Sequence, residues 1–180
     1  MPVSVARPVI KRDQRMLWIH AGPHKAASSY VTERLRKNRH ALAEQGVLMD
    51  GDDNGLANAI AQKHYEPIEQ ALSTLPEGLN RVLLSSSSLD TRILKKSVLR
   101  TLLKLADSQG FQLGISYCIR DQQSWLNSVY CHRIRRFRET PDFAGYCDYI
   151  MNDRDSWDIA YPSKFRVFKG FPEITTLFLP

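Results

Sequence analysis

Short apolar runs alternate with helical stripes along this chain. Residues 16–20, Met-Leu-Trp-Ile-His, form an apolar run of strand length, the pattern of a strand buried on both faces. Val31, Leu35 and Leu42 then recur at helical spacing, which predicts one helix ending near Gly46. Val47, Leu48 and Met49 predict a short buried strand, and Asp50 to Gly55 a turn-rich loop. Residues 56–72 read as a helix that Pro67 kinks or splits. Residues 81–85 predict the next strand. Asp90 is placed to cap a helix whose apolar face is Ile93, Leu94, Val98, Leu102, Leu105 and Ala106. Gly110 ends it. Residues 111–119 predict a strand with Arg120 at its C-terminal end, 121–138 a long helix, 143–151 another helix, and 166–168 a late strand.

This alternation predicts an α/β domain with a largely parallel sheet and helices on both faces. Ligands of such sheets sit beyond the carboxyl ends of the strands. The turn after the first strand and Arg120 after the fourth both fall at that edge. The expected organisation is a flexible N-terminal arm over 1–15 and one domain over 16–180. The arm is basic but lacks the apolar core of a secretory signal.

The first strand runs into Gly22, Pro23, His24, Lys25, Ala26, Ala27, Ser28 and Ser29, and then into a helix. A helix start offers unpaired backbone N–H groups and the positive end of its dipole. Lys25 adds a full charge, and Ser28 and Ser29 add hydroxyl donors. These groups together suit a phosphate or sulfate, although a tight turn with a solvated lysine uses the same residues. The spacing differs from the nucleotide-triphosphate loop, which needs a second glycine just before the lysine.

Arg120 is followed two helical turns later by Ser128, so guanidinium and hydroxyl can converge on one anion. A surface ion pair of Arg120 with Asp121 is the plainer alternative. The net charge of +6 and pI near 9.3 favour acidic partners, and His132 to Arg138 concentrates four arginines. That run suits either an anionic acceptor or a solvated helix end. No nucleic-acid-binding module is recognisable, so nucleic acid is not the expected partner. The three cysteines, Cys118, Cys131 and Cys147, have neither disulfide-framework nor metal spacing. They predict reduced thiols, a cytoplasmic setting and no metal site. No apolar run reaches the length of a membrane span.

The order Gly-x-x-Lys-small-small-Ser-Ser resembles the 5′-phosphosulfate loop of sulfotransferases that use 3′-phosphoadenosine-5′-phosphosulfate (PAPS), and Gly-Pro-His-Lys is especially similar to bacterial, carbohydrate-type members. Arg120, Gln122, Trp125, Leu126, Ser128 and Tyr130 are similar to the 3′-phosphate motif of the same branch, and the two motifs stand in the family's order. The resemblance covers about residues 16–130 and implies a P-loop-like fold. It also implies sulfuryl transfer to an acceptor hydroxyl, on a carbohydrate or another small molecule, with adenosine 3′,5′-bisphosphate (PAP) as product. By that resemblance, Lys25 stabilises charge at the sulfate bridge oxygen and the backbone of 26–29 holds the 5′-phosphate. Arg120 and Ser128 anchor the 3′-phosphate, and His24 or Asp53 serves as general base.

There are departures from the family. Ala26 and Ala27 stand where relatives carry Thr-Gly. Ser87 stands at a position where many have Glu, and no glycine-rich basic loop follows Ser156. A truncated chain, a compact variant or a binding-only relative therefore stays open beside the enzyme, and a P-loop-like kinase is the more distant alternative.

Overall fold

The computed structural model describes residues 13–23, 25–26, 28–50, 55–137, 141–152 and 165–179. Five strands form one sheet: β1 (Met16–Ala21), β2 (Val47–Asp50), β3 (Arg81–Ser85), β4 (Gln112–Cys118) and β5 (Thr175–Leu179). Their order is β2-β3-β1-β4-β5, and every pairing is parallel. The sheet is flanked by α1 (Ser28–Lys37), α2 (Arg39–Glu44), α3 (Leu56–Gln62), α4 (Glu66–Ser73), α5 (Asp90–Ile93), α6 (Lys96–Ser108), α7 (Gln122–Phe137) and α8 (Phe143–Asn152). This is an α/β fold.

The register explains why β1 is apolar throughout. Leu17 lies level with Val82 and Leu113, and Ile19 with Leu84 and Ile115. These side chains share one face, where Ile60, Ile68, Leu72, Leu99 and Leu102 cover them from α3, α4 and α6. Alternation sends Met16, Trp18 and His20 to the opposite face. There a second, smaller core forms from Ala26, Cys118, Trp125, Val129, Tyr146 and Ile150, supplied chiefly by α7 and α8. Burying each aliphatic side chain of the larger core contributes roughly 1.5–3 kcal/mol before the entropy of ordering is counted.

Several expected elements change form. The single helix before Gly46 breaks at Asn38 into α1 and α2. Pro67 lies in the first turn of α4, where a missing N–H costs nothing, so it starts a helix rather than kinking one. Asp90 does not cap the long helix. It opens the short α5 and accepts a hydrogen bond from the Tyr117 hydroxyl, and α6 starts later, after Lys95. The strand expected at 166–168 is a turn leading into a single 3₁₀ turn, Phe168–Gly170. The apolar side chains there, Phe165 and Phe168, pack against Phe178 instead of pairing in the sheet, and the last strand is β5. Arg15, assigned to the arm, already stacks on the Phe111 ring at 4.1 Å, and its carbonyl accepts from the Gln112 amide at 2.9 Å.

Gly114 has a steric task. A Cβ there would collide with the Trp18 ring, which lies directly over it from the neighbouring strand. Gly114→Ala is expected to lower stability by about 1–3 kcal/mol, the usual range for overpacking. Urea unfolding measures it, and an unchanged midpoint would mean that the ring is not seated there.

Candidate functional site

The connections after β1 and β4 leave in opposite directions. From β1 the chain passes over β3 to reach β2, and from β4 it goes outward to β5. The crevice between these two strand ends is the switch point at which open parallel sheets take ligands. Both sequence motifs converge there.

Gly22 follows β1 and is buried against β4. A Cβ on Gly22 would lie 2.8 Å from the Cys118 Cβ, so only glycine lets the two strands exit this closely. Pro23 is buried, and its carbonyl accepts from the Ala26 amide at 3.0 Å, closing a tight turn. Lys25 adopts a left-handed conformation with φ +69°. That costs a non-glycine residue roughly 1–2 kcal/mol, and one contact that holds it is visible. The Arg120 guanidinium donates from Nη1 to the Lys25 carbonyl at 2.9 Å, across 95 residues of sequence. Ala26 is buried in the second core beside Cys118 and Trp125. Ser28 and Ser29 open α1, with Ser29 exposed. His24, Ala27 and Asp53 lie outside the described residues.

A cleft of about 360 Å³ opens at this point, lined by Lys25, Arg120, Ser124, Asn127, Ser128, Cys131, His132 and Arg135. Three of these lining residues are cationic and none is a carboxylate. The volume lies in the range of small-molecule sites, about 300–1,000 Å³. Three expected residues, Lys25, Arg120 and Ser128, thus line one cavity. The α7 residues among them recur every three or four positions, so they form one stripe along the helix.

The sequence alone did not single out Ser124, Asn127 or Arg135 for the site, and it marked Cys131 only as a reduced thiol. Their helical spacing with Ser128 was the available signal. Of the arginine run, Arg135 faces the cleft, whereas Arg133 lies over the Tyr146 ring at 5.4 Å. Asp121 turns back to accept from the Ser124 amide at 2.8 Å, capping α7. That hydrogen bond, more than the neighbouring Arg120 charge, holds its carboxyl below the usual range. Asp50 accepts from the Leu56 amide at the start of α3, away from this cleft.

Beneath the loop lies a buried polar chain that the sequence reading did not foresee. His20, only 2% exposed, places Nε2 at 3.1 Å from Cys118 Sγ and Nδ1 at 2.7 Å from Ser85 Oγ. Ser85 Oγ lies in turn 2.7 Å from Thr32 Oγ1 on α1. Burial lowers the imidazole pKa from 6.5 to about 4 and pushes the Cys118 thiol up, so both are neutral near pH 7. The signal was three polar residues at the C-terminal ends of apolar strands.

Among the described residues, no group of three or more His, Cys, Asp or Glu side chains could hold a metal ion, and no helix is long and apolar enough to cross a membrane. No family model and no curated protein matches this chain. Among solved structures it is similar to that of APE1195, with 12% sequence identity, 76% of this chain and 79% of that one covered, and a TM-score of 0.44.

Proposed function

We propose that this protein is a PAPS-dependent sulfotransferase acting on an acceptor hydroxyl, with an anionic carbohydrate as the favoured acceptor. The observation that carries the reading is the meeting of Lys25 with Arg120 and Ser128 in one carboxylate-free cleft at the switch point of the sheet. When bound, PAPS would supply an activated sulfuryl group: the acceptor oxygen would bond to sulfur in line as the bond from sulfur to the 5′-phosphate oxygen breaks and PAP leaves. Because such transfer asks little covalent chemistry of a protein, positioning and charge stabilisation carry the catalysis. The Lys25 ammonium offsets the charge that develops on the departing side, and the first amides of α1 hold the 5′-phosphate. Arg120 and Ser128 hold the 3′-phosphate, and Arg135 extends the positive wall toward the acceptor. The acceptor proton passes to a general base, for which His24 and Asp53 are the candidates. A binding-only relative is the second reading, because it needs the same cationic cleft and no general base.

Titration with PAP tests the site, and turnover of labelled PAPS over a panel of acceptors separates the two readings. Arg120→Ala is expected to weaken PAP by about 1.5–3 kcal/mol, the value of a charge-assisted hydrogen bond. Arg120→Lys recovers only part of this, because a point charge lacks the planar fork. Unchanged affinity in Arg120→Ala would overturn the assignment.

A further inference from the structure

The polar chain under the loop does more than fill space. Cys118, His20 and Ser85 stand at the ends of three adjacent strands, β4, β1 and β3, and Thr32 reaches them from α1. The loop from Gly22 to Ser28 is therefore tied at both ends to one imidazole. At its start, Gly22 rests on Cys118, the Nε2 partner of His20. At its far end, α1 is joined through Thr32 and Ser85 to Nδ1. We propose that His20 is a positioning residue that sets the height and tilt of the first turns of α1 over the strand ends, and through them the affinity of the loop for an anion.

Physical chemistry favours this role over plain packing. Apolar side chains occupy the corresponding ends of β1 and β3 on the opposite face, where Ala21 and Leu84 join the larger core, so packing alone does not require polar groups here. A buried hydrogen-bonded chain adds direction, because each member has a geometric optimum, whereas an apolar contact tolerates sliding. The neutral ring has one donor and one acceptor nitrogen, so the chain has a sense. In one sense the thiol donates to Nε2, Nδ1–H donates to Ser85 and Ser85 donates to Thr32. In the other, every donor is reversed. Among the described residues, the hydrogen-bond partners of the ring are Ser85 from β3 and Cys118 from β4. Thr32 joins from α1 through Ser85, and none of these groups carries charge near pH 7.

The test uses the full chain with Thr32→Val, Thr32→Ser, Ser85→Ala and the double variant Thr32→Val/Ser85→Ala. It rests on the proposed anion site for one readout, PAP titration, and is independent of it for two others. Those are amide hydrogen exchange along α1 and the ¹⁵N resonances of the His20 ring. Thr32→Val and Ser85→Ala are each expected to weaken PAP by about fivefold, the worth of one net hydrogen bond. The double variant should be no weaker than the weaker single one, because both break the same chain. Thr32→Ser should bind as the unmodified protein does. The Nδ1 resonance should move in Ser85→Ala and, through the chain, in Thr32→Val.

Wild-type affinity in Thr32→Val, or equal weakening in Thr32→Ser and Thr32→Val, overturns the proposal. If the unmodified protein does not bind PAP, the sulfotransferase reading fails and exchange decides the positioning role. Thr32→Val must then speed exchange of α1 amides while leaving α6 amides unchanged, and unchanged α1 exchange overturns it.

Discussion

Lys25→Met is expected to slow sulfuryl transfer from PAPS by about 10²–10³-fold, the usual cost of removing one preorganised donor from developing charge. Methionine keeps an unbranched stem of similar shape and removes the ammonium. It also keeps the left-handed backbone at φ +69°, with the same strain as lysine, so the loop should hold its shape. Lys25→Gly supplies the complementary control. Glycine adopts this conformation without cost, so that variant should be more stable by about 1 kcal/mol and yet equally deficient in transfer. Opposite effects on stability and rate would show that the residue was selected for its charge against the preference of its backbone. Single-turnover rates with labelled PAPS, together with thermal unfolding of both variants, measure this. Transfer at the wild-type rate in Lys25→Met would remove Lys25 from the chemistry.

Acid is expected to destabilise the protein through His20 by up to about 3 kcal/mol. The folded imidazole titrates at about 4, below its ordinary 6.5, because burial disfavours its charged form. As pH falls, the unfolded chain therefore binds a proton first. The contribution is fully present above about 6.5 and is lost progressively down to about 4, by roughly 1.4 kcal/mol per pH unit. Urea midpoints at several pH values across that window measure it. His20→Gln should start less stable, because the hydrogen-bond chain is broken, and should then show a flatter dependence between pH 6.5 and 4. The carboxyls of Asp121 and Glu33 titrate below their usual range, so most of their loss falls at lower pH, and it is common to both proteins. Identical slopes in the two proteins would mean that His20 is not buried neutral.

Much of this fold was legible because periodicity reports burial. The strands at 16–21, 47–50, 81–85 and 112–118 each read as an apolar run, since a parallel sheet covered on both sides needs apolar groups facing both ways. The last strand was misplaced because β5 is half-buried along its length, while the apolar residues before it, Phe165 and Phe168, pack on its Phe178 without pairing in the sheet. Apolarity marked the cluster and not the pairing. At the site, Lys25, Arg120 and Ser128 were legible from residue type and position relative to strand ends. The polar stripe on α7 required knowing which helical face meets the loop. The chain from Cys118 to Thr32 joins four elements, and no local pattern announces a hydrogen bond between residues 65 or 98 positions apart.

The strand order also dictates when the cleft can exist. Its two halves sit on segments separated by 95 residues and come together only when β4 docks beside β1. An N-terminal piece ending after β3 holds the lysine turn with no guanidinium to clasp it. During synthesis, the proposed anion site cannot assemble until β4 and the start of α7 have left the ribosome. A nick placed between α6 and β4 would for the same reason divide the two halves of the cleft between separate fragments.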